Sequence, residues 1–153
     1  MRTLVPIAAL FILSLNIGPA RAASSDSSLP DQQSIEALEA RANQAEPRDQ
    51  CFLYAQLVQQ MTELSIRQYQ AGDVAKASGM LQRIQQIARK IHLSVKDDDK
   101  RLKNAELTLS HTAFRLSEML QASSIEDRPL VEQTLAQVTD AKNATLIQVF
   151  RSK

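Results

Sequence analysis

Residues able to do chemistry are few in this chain. It carries two histidines, His92 and His111, and one cysteine, Cys51, among 153 residues. A metal site built on helices needs several ligands converging, with histidine and carboxylate three or four residues apart on one face. No His-x-x-His, Glu-x-x-His or Cys-x-x-Cys spacing is present, and no haem-attachment sequence. No metal ligand set and no cofactor are expected. Nucleophilic catalysis lacks a framework too: there is no Gly-x-Ser-x-Gly elbow. Beyond residue 22 only Gly72 and Gly79 remain, too few for a phosphate-cradling loop. Glu36 and Glu39 share a helix face, but so do most solvated acidic residues. The chain reads as non-enzymatic.

Cys51 has two readings. A lone thiol closes no intramolecular disulfide, so it is either a small buried apolar residue or a link to a second chain. It shares a helical stripe with Tyr54, Val58 and Met61, the pattern of burial.

Charge is densest in Arg89-Lys90-Ile91-His92 and from Lys96 to Lys103. As a patch these bases would attract an anionic partner. As helix-end chemistry, Arg89 and Lys90 complement one C-terminus while Asp97, Asp98 and Asp99 complement the next N-terminus. The aspartates offset the bases and almost no aromatic residue accompanies them, which speaks against nucleic acid. Asn143-Ala144-Thr145 has the form of a glycosylation sequon.

The elements that must position these residues begin after an N-terminal segment of a different kind. Arg2 gives a positive start, Leu4 to Ile17 is apolar, and Gly18-Pro19 precedes the small-x-small triplet Ala20-Arg21-Ala22. That is the layout of a secretory signal peptide over residues 1–22, with cleavage expected between Ala22 and Ala23. An uncleaved anchor would want about 20 apolar residues, and this run is shorter and holds Pro6 and Asn16. A lipoprotein would need a cysteine at the end of the run, and a twin-arginine signal needs paired arginines. The expected location is periplasmic or secreted, with no stable membrane insertion after cleavage.

Cleavage would leave 131 of the 153 residues, with 16 basic and 17 acidic side chains. That is one domain without a field favouring nucleic acid or an anionic membrane. Alanine, leucine, glutamine and charged helix formers dominate, while β-branched and aromatic residues are sparse. Residues 23–30 read as a polar, serine-rich leader and 31–153 as a single helical domain.

A short helix is expected over about 31–45, with a stripe of Ile35, Leu38, Ala42 and Ala45. Pro47 ends it and suits the first turn of the next helix. That helix carries a wide stripe from Cys51 to Leu64 and stops at Ala71-Gly72-Asp73, where glycine caps one helix and Asp73 the next. From Val74 the stripe reads Ala77, Leu81, Ile84, Ala88 and Ile91, then Leu102, Ala105, Leu109, Thr112, Leu116 and Met119 in the same heptad phase. Two architectures follow. One helix over 73–122 would be about 75 Å long. Alternatively the three aspartates break it into an antiparallel pair, turning near Asp98 and setting His92 opposite Asn104. The break gives an up-down bundle of about four long helices plus the short N-terminal one. The last helix opens near Ser124–Pro129, with a stripe of Leu130, Val131, Leu135, Val138, Leu146, Val149 and Phe150. No 34-residue repeat is present.

The segments Cys51–Val58, Met61-Thr-Glu63, Lys100–Glu106 and Glu126-Asp-Arg-Pro129 together resemble an uncharacterised group of small exported all-helical bacterial proteins. The resemblance implies export and a helical fold and brings no site residues. The expected role is a non-enzymatic interaction or structural module of the cell envelope, its partner another envelope protein or the chain itself. The alternative is a small-ligand or metal carrier with its site in the bundle core, near Tyr54, Met61, Met80 or His111.

Overall fold

The computed structural model describes residues 29–95 and 101–151, and within them five α-helices and no strand. Residues 1–28, which include the expected signal peptide and its Ala22–Ala23 junction, lie outside the described residues, as do 96–100 and 152–153. The helices are α1 (Gln32–Gln44), α2 (Pro47–Gln70), α3 (Val74–Ser94), α4 (Leu102–Ala122) and α5 (Arg128–Arg151). The chain is an all-α bundle of four long helices with a short N-terminal helix.

Local chemistry explains the boundaries. Asp31 caps α1 by accepting from the Ser34 amide at 2.7 Å, and the Ser34 hydroxyl takes the Asp31 amide in return. That hydrogen bond to the Ser34 amide, followed by the one to its hydroxyl, holds the Asp31 carboxyl below its usual value. Pro47 opens α2, where its missing N–H would have no partner. Gly72, at φ 84°, closes α2 with Gly72 N–H on Tyr69 C=O and Asp73 N–H on Gln68 C=O. Asp73 stands at the N-cap of α3 without capping it, its carboxylate paired instead with Lys76 at 3.2 Å. The continuous-helix architecture is not adopted. Helix α3 ends at Ser94 and α4 begins at Leu102, with Asp97, Asp98 and Asp99 outside the described residues.

The packing differs from a simple meander. Among the described residues α2 touches α3 and α4, α5 touches α3 and α4, and α3 and α4 are not neighbours. The four long helices stand in the square order α2–α3–α5–α4, so His92 does not face Asn104. Two antiparallel hairpins lie side by side, with α4 parallel to α2: Gln59 meets His111 and Glu63 meets Arg115. This arrangement lets each hairpin bury its whole stripe against the other. Helix α1 lies on α2, reaches α3 through Glu39–Arg83 at 2.7 Å, and touches neither α4 nor α5.

The two hairpins repeat one another at a shift of 54 residues. The shift carries buried Cys51, Ala55, Val58, Thr62 and Ser65 onto buried Ala105, Leu109, Thr112, Leu116 and Met119. It also carries Ala77, Met80, Ile84, Ile87 and Ile91 onto Val131, Thr134, Val138, Ala141 and Thr145. The same shift takes the first residue of α3 onto that of α5 and Asp73 onto Asp127.

The α5 core corrects the expected stripe. Its buried face is Val131, Thr134, Val138, Ala141, Thr145 and Gln148, whereas Leu130, Leu135, Leu146 and Val149 are only partly buried and Phe150 is exposed. Thr134 and Thr145 donate their hydroxyls to the Leu130 and Ala141 carbonyls, each at 2.8 Å, which satisfies these donors inside the core.

Candidate functional site

Helices α3 and α5 run side by side, and a groove of about 720 Å³ lies between them toward the Val95 and Arg151 end. Helix α3 contributes Arg89, His92 and Leu93, and Val95 follows its end; α5 contributes Gln137, Asp140, Asn143, Ile147 and Arg151. Leu93 is 81% exposed and Ile147 53% exposed, and both line this one groove. The groove therefore has an apolar floor and strip flanked by two guanidinium groups, with one carboxylate, Asp140. No hydroxyl or thiol lines it among the described residues. Its volume is that of an ordinary ligand or peptide-side-chain pocket.

Two smaller grooves lie elsewhere. One, about 570 Å³, runs between α1 and α2 past Arg41, Asp49, Leu53 and Arg101. The other, about 270 Å³, lies between α2 and α4 at Ile66, Tyr69, Arg115 and Met119. None of the three is lined by Tyr54, Met61, Met80 or His111.

The residues singled out in the sequence scatter across the bundle. Cys51 is fully buried in α2, so a bond to a second chain would require the core to open there. His92 lies in the α3–α5 groove, and His111 stands on α4 with its Nδ1 3.4 Å from the Gln59 amide nitrogen. Among the described residues, no group of three or more His, Cys, Asp or Glu side chains comes together to hold a metal ion. Glu39 belongs to the Arg83 pair and Glu36 accepts from Gln32, so the two carboxylates have separate partners. Of the charge cluster, Arg89 reaches the groove and the Lys90 ammonium stands 5.7 Å over the Tyr54 ring. Burial, and secondarily the charge of Glu39, raises the Tyr54 phenol above its usual pKa; its hydroxyl donates to Asn43 at 3.0 Å. In the sequon-like triplet, Thr145 is buried within α5.

The best-connected polar groups serve the frame. Arg115 binds Glu63 at 2.9 Å across the α2–α4 contact and also holds Glu118, and these bonds keep its guanidinium firmly charged. Tyr69 donates to Asp127 at 3.1 Å and accepts from the Ser124 amide at 2.9 Å, pinning the α4–α5 turn to the end of α2.

No family model, no curated protein and no solved structure matches this chain. The groove residues Leu93, Ile147 and Arg151 were not singled out in the sequence. Their signal was available: Leu93 and Ile147 are large apolar residues that fall off the buried stripes of their helices. No described helix is long and apolar enough to cross a membrane.

Proposed function

We propose that this chain is an exported, non-enzymatic interaction module that receives a partner segment in the α3–α5 groove. The observation that carries the reading is the pairing of exposed Leu93 and Ile147 with Arg89 and Arg151 in one groove. An amphipathic helix with apolar anchors and acidic flanks is the complementary occupant. The frame supports this role, because the groove walls are helices held by a continuous core and need no folding on binding. The N-terminal layout supports export, and a mature chain beginning at Ala23 is the expected product.

The test compares affinity capture from native envelope extract by the wild-type protein and by Ile147→Asp. A charge on this exposed position leaves the core untouched and removes an apolar anchor. The expected result is a discrete partner retained by the wild type and lost with Ile147→Asp. Equal retention by both would overturn the groove assignment, and the intact mass of the exported protein checks the Ala23 start.

A further inference from the structure

We propose that the face of the α4–α5 hairpin turned away from α2–α3 docks a second copy of this chain, forming a twofold dimer. The warrant is the way the chain already packs hairpin on hairpin. Ile66 and Gln85 are buried where α2–α3 meets α4–α5, and Leu81 is buried one helical turn before Gln85: Ile66 stands beside Arg115 and Met119, and Gln85 donates to Thr134 at 2.9 Å. The 54-residue shift carries these three onto Leu120, Leu135 and Thr139, the same sequence of apolar, apolar and polar side chains. All three are only partly buried, because no third hairpin lies on them.

The other side of the stack is partly occupied. Helix α1 lies on α2 there and reaches α3 at Glu39–Arg83, taking part of the surface a head-to-tail copy would need. A second copy added face to face leaves that side untouched, and such a contact closes at two. A twofold axis parallel to the helices lays α4 of one copy antiparallel along α5 of the other. Ser65 donates to the Ala77 carbonyl across the α2–α3 hairpin, and the shifted pair is Met119 and Val131. Counting from that pair puts Glu106 and Lys142, both partly buried, within one helical turn of the same level. Across the axis Glu106 of each copy then meets Lys142 of the other, so the face is complementary to itself in charge.

The inference rests on the packing and not on the groove reading. Analytical ultracentrifugation of the exported protein over about 1 µM to 1 mM reads it directly. The expected result is a monomer–dimer equilibrium. Lys142→Glu should weaken the dimer by about tenfold or more with unchanged helical circular dichroism, and Glu106→Lys with Lys142→Glu together should restore it. A monomer at every concentration overturns the proposal. So does a dimer indifferent to Lys142→Glu, or one weakened by that change and not restored by the double exchange. Ile147→Asp should leave the dimer intact; if it alone abolishes association, the groove is the contact and this face is not.

Discussion

Leu53 and Leu107 are the same residue one 54-residue shift apart, yet Leu53 is 3% exposed in the groove beneath α1 and Leu107 is 63% exposed on α4. Truncating each to alanine isolates what α1 contributes. Removing a buried leucine side chain costs about 3 kcal/mol once the lost transfer energy and residual cavity are combined. Removing an exposed one costs about 0.5 kcal/mol or less. Both residues favour helices, so propensity differs too little to account for the gap. With a urea slope of roughly 1.5 kcal/mol/M for a domain of this size, Leu53→Ala lowers the unfolding midpoint by about 2 M. The corresponding thermal shift is about 12 °C, against a degree or two for Leu107→Ala. Far-UV circular dichroism during urea and thermal unfolding measures both. Equal losses for the two variants would refute the claim that α1 packs on α2 in solution.

Three further outcomes follow from the helix ends. Gly72→Ala meets no atom within 4 Å but must hold φ near 84°, so it should cost about 1–2 kcal/mol in urea unfolding through backbone strain alone. Tyr69→Phe removes the hydroxyl that joins Ser124 and Asp127, and should destabilise by about 1 kcal/mol while speeding amide exchange at Ser124. Asp31 has a folded pKa below its ordinary 3.8, so its cap is fully effective above that value and is lost as pH falls through the folded pKa. The protection factor of the Ser34 amide, relative to its intrinsic rate at each pH, should fall in acid for the wild type, and in Asp31→Ala it should be low already at neutral pH.

Much of the fold was legible in residue patterns. Pro47 and Gly72 mark helix ends that the structure places within a residue or so of where their chemistry puts them. Neighbours were harder. The shared heptad phase of α3 and α4 made them look like neighbours along one seam, but α3 packs on α2 and α5 and α4 on α2 and α5. The duplication itself left few identical residues, Asp73 with Asp127 and Leu81 with Leu135 among them, because burial constrains face and volume more than identity. Thr134 and Thr145 hid part of the α5 core because a hydroxyl that bonds back to its own helix packs into a core yet reads as polar in a sequence. The groove escaped notice because Leu93 and Ile147 matter through their exposure, and periodicity registers only what is buried.

The most direct test of the account places a photo-reactive amino acid at Ile147 and, as a control, at exposed Glu132 on the same helix. Crosslinking in the exporting cell, followed by mass spectrometry, reads what occupies the groove. The account predicts one discrete adduct to another protein from position 147, absent from position 132 and abolished when Leu93 is changed to Asp. No adduct at 147, or the same pattern from both positions, would contradict it.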